Sequence, residues 1–123
     1  MSARTTQWLI AAIFLILGGW ALFAPASVIE FAIAEEYHSD APVVRWVMAC
    51  FGAQAMLFGI VALVTNWTKR SFLVFGLLLL PFLLFDWYFH FVEPILTTVG
   101  MLDLAGNLAM LALCWHGWRV AEA

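Results

Sequence analysis

The sequence has few charged residues. Five lysines and arginines and eight aspartates and glutamates make up 11% of its 123 residues, whereas soluble proteins carry about 25%. A soluble fold needs a polar exterior, and a nucleic-acid-binding surface needs many basic side chains, which a chain with a net charge of -3 does not supply. The composition therefore excludes a soluble globular domain, a disordered chain and a nucleic-acid-binding protein.

Cysteine is also scarce, and catalytic motifs are missing. Cys50 and Cys114 lie inside apolar runs, where a thiol usually behaves as a small buried hydrophobic group. The chain shows no cysteine pattern in its loops that would indicate a disulfide framework. Since no nucleophile motif and no cofactor motif is found, we predict no cofactor and leave enzymatic activity open, with a non-catalytic protein favoured.

Hydrophobic residues take the place of the missing polar ones, at 66% of the chain. They form four long runs, Trp8–Ala24, Val43–Thr65, Phe72–Val92 and Ile95–Trp115. Each run has about 17 residues or more, which at a rise of 1.5 Å per residue gives about 25 Å, enough to cross a bilayer. We therefore predict an all-α fold in which residues 1–123 form one transmembrane domain, an integral membrane four-helix bundle.

The loop between the first two runs has a helical pattern of its own. Within Ala26–Tyr37, Ser27 is placed to cap a helix, with Glu30 three residues later as its capping-box partner. Apolar residues recur at helical spacing, namely Val28, Ile29, Ala32 and Ile33. This pattern predicts a short amphipathic helix on the outer surface of the membrane; an irregular loop is the alternative.

The basic residues indicate how the chain is oriented. Arg4 precedes the first run, Lys69 and Arg70 lie between the second and third, and Arg119 follows the fourth, whereas the loop Pro25–Pro42 is acidic. If the chain alternates across the membrane, all the inter-span and terminal basic residues lie on one side, which the positive-inside rule makes the cytoplasm. We predict a multi-pass protein of the bacterial inner membrane with both termini cytoplasmic.

Polar side chains inside the runs are the candidate functional residues, because charge within a membrane span is expensive. In the third run Asp86, His90 and Glu93 follow i, i+4, i+7 spacing and share one face, and in the fourth Asp103 and Asn107 share another. The third and fourth runs are predicted to form a tight hairpin. Asp86 and Asp103 should then lie at the same depth in the outer half, within reach of one another and away from lipid.

Arg45 enters the second run from the same side and is predicted to compensate these acids with its long side chain. It begins a face rich in small residues that suits close helix packing, with Ala49, Gly52 and Gly59 on that face and Gly100 on the fourth run. Gln54 lies about 180° from Arg45 on this helix and is expected to face the first span, another subunit or lipid.

Each polar group has more than one interpretation. Asp86, His90 and Glu93 could hold a metal ion or a proton, but the same spacing is more typical of a hydrogen-bonded helix end. No metal is predicted, since no second Glu/His pair appears on another helix. Asp103 and Asn107 could bind a ligand amine, relay a proton, or form a hydrogen bond between helices worth about 0.6–2 kcal/mol.

The chain resembles the DoxX-like class of small bacterial four-helix membrane proteins. The resemblance rests on the first helix ending in Phe-Ala-Pro at Phe23–Pro25, on Arg45 near the start of a helix containing Gly52 and Gly59, and on the short basic turn before the third run. It implies the four-helix architecture and no particular activity.

Two functions are compatible with the sequence. A non-catalytic accessory or oligomer-forming subunit of a membrane complex is favoured by the small size, the short loops, the small-residue face and the expected outward position of Gln54. The alternative is a small-molecule-binding membrane protein, either a proton-coupled carrier or an acid–base enzyme for an apolar substrate, with Asp86, Asp103 and His90 in its pocket. The predicted partners are the lipid bilayer, other membrane subunits or further copies of the chain, and an apolar small molecule.

Overall fold

The structure is a computed structural model that describes residues 1–123. It is all-helical, without a β-strand, and its α-helices are α1 Ala3–Phe23, α2 Pro25–Ala32, α3 Pro42–Val64, α4 Lys69–Trp87 and α5 Leu102–Val120. A wider π-helical turn, Tyr88–Val92, extends α4, and 3-10 turns form at Glu35–Tyr37 and just before α5 at Val99–Met101. The prediction of an all-α chain is confirmed.

Four helices are long and apolar enough to cross a membrane, which confirms the prediction of four such segments. Their bounds are Ala3–Phe23, Pro42–Val64, Lys69–Val92 and Val99–Val120. The third continues as an α-helix through Pro81, so the proline alone does not end it.

The fourth long helix begins later than Ile95, where the sequence predicted it. Residues 93–98 instead run beside the chain that follows α2, where Ala34 N donates to Ile95 O over 2.7 Å and Thr97 N donates to Ala32 O over 2.9 Å. These bonds satisfy backbone groups that a helix would have used internally. As a result, α5 starts only at Leu102.

The short helix α2 is present, with a different start and end from those predicted. It runs over Pro25–Ala32, and its first turn begins with proline, which suits a position whose N–H has no helical partner. Ser27 does not cap it; its hydroxyl accepts a hydrogen bond from Trp20 Nε1 over 3.1 Å. Val28 and Ile29 are buried while Glu30 is exposed, so the helix is amphipathic as expected.

The helices pack mainly as two pairs, α1 with α3 and α4 with α5, and α1 also packs against α5. The first pair meets at glycines: a Cβ on Gly52 would overlap the backbone of α1 at Leu22, Ala21 and Gly18. A Cβ on Gly59 would come within 2.8 Å of Leu15. The face of α3 that contains Gly52 and Gly59 is therefore a close packing face, and its neighbour is α1.

The second pair and α1 enclose the main core. Its buried side chains are Ile10, Phe72, Leu79, Met110, Cys114 and Ala121. Gly117 leaves room for the Phe72 ring, and Gly100 leaves room for the carbonyl of Ala32. Ala49, predicted as a packing residue, is half-buried. In contrast, α3 and α4 make few contacts with one another, which leaves the space between the two pairs open on that side.

Candidate ligand-binding site

Three of the predicted polar residues meet where α4 ends and α5 begins. The side-chain amide nitrogen of Asn107 donates to Asp86 Oδ2 over 2.9 Å and to Asp103 Oδ2 over 3.2 Å. Asp86 is 7% exposed and Asn107 is 6% exposed, whereas Asp103 is half-buried. We call these three residues the acid–amide cluster.

The helices explain why this cluster forms. Asp86 lies in the last turn of α4, and Asp103 lies in the first turn of α5 with Asn107 four residues after it, on the same face. The partial positive charge at the start of α5 favours a carboxylate at Asp103. Since both carboxylate oxygens bond to one nitrogen, they are at most about 6 Å apart.

An apolar cavity of about 430 Å³ opens beside the cluster, between the two helix pairs. We call it the central cavity. All four long helices line it, and its polar lining residues are Gln54, Asp103 and Asn107. Aliphatic and aromatic side chains form most of the remaining wall, including Phe14, Leu17, Phe58 and Phe82. Cavities of about 300–1,000 Å³ with a few convergent polar groups are typical of small-molecule sites.

A second cavity of about 660 Å³ lies at the α2 end of the molecule, bounded by α1, α2, α3 and the chain from Ile95 to Asp103. Asp86 and Asp103 both line this outer cavity. Asp103 lines the central cavity as well, as do Leu17 and Phe51. The acid–amide cluster therefore stands at the boundary between two apolar spaces.

The structure does not bring the other predicted polar residues into the cluster. His90 Nδ1 lies 3.0 Å from the carbonyl oxygen of Leu96 and forms a hydrogen bond there. Glu93 and Arg45 are exposed and line neither cavity. The expected compensation of the acids by Arg45 is absent, because its side chain leaves the first turn of α3 away from the cavities. No group of three histidine, cysteine, aspartate or glutamate side chains is close enough to hold a metal ion.

Gln54 is placed differently from the sequence-based expectation, since it lines the central cavity with Asp103 and Asn107. The helical count that put Gln54 opposite Arg45 was sound. The α3 face that begins at Arg45 does pack inward, since Gly52 and Gly59 on it meet α1. Gln54 lies off that face and is exposed, at the edge of the cavity.

Sequence reasoning missed Gln7, at the other end of α1. Gln7 is 2% exposed. Its amide nitrogen donates to the carbonyl oxygens of Ala62 and, over 2.6 Å, of Thr65, and its side-chain oxygen accepts from Trp67 N over 3.2 Å. These carbonyls belong to the end of α3, where helical partners are lacking. The available signal was an uncharged amide directly before the first apolar run, Trp8–Ala24.

Comparison of the chain with known protein families, with curated proteins and with solved structures finds no match.

Proposed function

We propose that the protein is a membrane-embedded four-helix bundle that binds an apolar small molecule in the central cavity, with the acid–amide cluster as its polar contact. The observation that carries the proposal is the position of this cluster, because Asp103 and the buried Asn107, both hydrogen-bonded within it, line an apolar cavity of about 430 Å³. Intramembrane acids are expensive to keep and commonly mark a functional site.

The cavity favours ligand binding over the accessory-subunit function that the sequence put first. A purely structural hydrogen bond between α4 and α5 would be best served by tight packing around it. An unfilled space beside it forfeits packing energy instead. Gln54, whose expected outward position supported the accessory function, lines the cavity. Binding is also the step that a carrier and an acid–base enzyme share.

An accessory or oligomer-forming subunit is the second candidate. It is supported by the open side between α3 and α4, which make few contacts, and by the exposed apolar residues along α3, such as Leu57, Ile60 and Val61. Lipid would cover such a surface as well as a partner protein would, so these exposed residues do not favour a subunit. We therefore put ligand binding first.

The proposed setting is the bacterial inner membrane, with both termini cytoplasmic. Arg4 donates to Asn66 Oδ1 over 2.6 Å, and Lys69 N donates to Glu122 O over 3.3 Å. These bonds support the placement of both termini and the basic α3–α4 turn at one end of the molecule. The DoxX-like resemblance agrees with this architecture, and it stays a prediction.

The proposal is tested by placing a larger side chain in the central cavity. We expect protein purified in a mild detergent to retain a small molecule that mass spectrometry detects, and Leu78→Trp to lose it, because Leu78 lines the cavity. Leu77→Trp is the matched control, since Leu77 is exposed to a similar degree and lines neither cavity. Extracts of the same composition from the two folded variants would contradict the proposal.

A further inference from the structure

We propose that the ligand of the central cavity is a lipophilic ammonium ion, an apolar body that carries a protonated amine with at least one N–H. This inference rests on the proposed function and adds the chemical class of the ligand. It follows from the hydrogen-bonding groups that the cluster leaves unused, from its charge, and from the composition of the cavity wall.

The acid–amide cluster has unused hydrogen-bond acceptors, whereas both N–H donors of its amide are already bonded. The amide of Asn107 has two N–H groups, and they are directed to Asp86 and Asp103. Its oxygen makes no hydrogen bond, although the residue is only 6% exposed. Since no fully enclosed side-chain polar atom lacks a partner in this structure, that oxygen is not fully enclosed, and Asn107 lines the central cavity. A ligand that completes the cluster must therefore supply hydrogen-bond donors.

The charge of the cluster favours a cation. Asp86 and Asp103 accept hydrogen bonds from the same amide nitrogen, so these two acids lie close together. No basic side chain is paired with them: Arg45 is exposed and lines neither cavity, and His90 is bonded to the carbonyl of Leu96. A buried charge without a partner is strongly unfavourable, so a cation is the complementary ligand.

The residues that line the cavity favour an organic cation over a metal ion. Bare metal ions such as Ca²⁺ take six to eight oxygen ligands, whereas the oxygens here come from the cluster on one side and from Gln54 on α3. Most of the other lining side chains are aliphatic or aromatic, including Ile13, Phe75 and Leu79. An ammonium group at the cluster and a hydrocarbon body against this wall match both surfaces.

The test compares three probes that share one compact hydrocarbon body: adamantyl amine, adamantyl alcohol and adamantyl trimethylammonium. Binding to the full chain in lipid nanodiscs is measured by equilibrium dialysis. We expect the amine to bind at least about tenfold more tightly than the alcohol, which lacks the charge, and than the trimethyl ion, which lacks the N–H; about tenfold corresponds to one charge-assisted hydrogen bond.

Substitutions then test whether the amine binds at the acid–amide cluster. Asp103→Asn and the double variant with Asp86→Asn should each weaken amine binding by about tenfold or more while leaving alcohol binding unchanged. Glu93→Gln is the matched control, because it removes an exposed acid at the same end of the molecule outside both cavities. Asp103→Asn alone suffices if the double variant does not fold, as judged from its melting curve.

The outcomes separate the inference from the function on which it rests. Equal binding of the amine and the alcohol, abolished for both by Leu78→Trp, would overturn the ammonium inference and support the ligand-binding function. Glu93→Gln weakening the amine as much as Asp103→Asn would also overturn it, since surface charge would explain the effect. Probe binding that Leu78→Trp leaves unchanged, or no binding at all, would overturn both.

Discussion

At the scale of single residues, the side chain of Gln7 holds three segments together. It bonds to the end of α3 and to the chain that leads into α4. We expect Gln7→Leu to lower the free energy of unfolding by about 1–3 kcal/mol, because it removes the buried hydrogen bonds to two carbonyls and one N–H. Melting of the purified protein in detergent, followed by tryptophan fluorescence, measures the loss.

Gln54→Leu is the matched control for this prediction. Gln54 is exposed and lines the central cavity, and its side chain makes no hydrogen bond in the structure. The same substitution should therefore change stability by less than about 0.5 kcal/mol. If both variants lost the same unfolding free energy, the hydrogen bonds of Gln7 would not explain the loss, because Gln54 has no such bonds.

Single residues also show what the sequence could and could not predict. Helical spacing placed Asp103 and Asn107 on one face, and the short connection between the spans placed Asp86 near them; the structure has all three in contact. Spacing could not tell where Arg45 points, since a long flexible side chain near a helix start can lie along the helix or away from it.

At the scale of helices, the packing of α1 against α3 depends on Gly52. A Cβ there would overlap the backbone of α1, and backbone atoms cannot move aside as the end of a flexible side chain can. We expect Gly52→Ala to force the helices apart and to destabilise the protein by about 1–3 kcal/mol, the usual cost of overpacking. Thermal melting in detergent tests this.

Gly19→Ala serves as the matched control for Gly52→Ala. Gly19 also lies within a long helix, but a Cβ on it would meet nothing closer than Met56 Sδ at 4.0 Å. Because alanine favours helix over glycine by about 1 kcal/mol, this variant should be as stable as the wild type or slightly more so. A loss as large as that of Gly52→Ala would show that the close contact is not what requires glycine.

Helix boundaries were less predictable than the helices themselves. Hydropathy alone located four long apolar helices, as the structure has them. It could not reveal that residues 93–98 bond to the chain after α2, because that pairing joins segments about sixty residues apart in the sequence and leaves no local pattern. The start of α5 therefore falls at Leu102, although apolar residues begin earlier.

At the scale of the whole molecule, the topology is the testable property. We expect a green fluorescent protein fused after Ala123 to be fluorescent and alkaline phosphatase fused there to be inactive, because the positive-inside rule holds Arg4, Lys69, Arg70 and Arg119 in the cytoplasm. Fusions after Asp40, in the acidic loop, should give the opposite pattern. Phosphatase activity after Ala123 would show that the chain is oriented the other way.

The division into two helix pairs has a consequence for synthesis. Asp86, Asp103 and Asn107 all belong to the second pair, α4 and α5, while the first pair already has its glycine contact. If the chain inserts into a bilayer as proposed, α1 and α3 enter it without any of the three polar groups. The acids then enter with the one amide that bonds to both, so the second pair would bring its costliest side chains into lipid together with their hydrogen-bond partner.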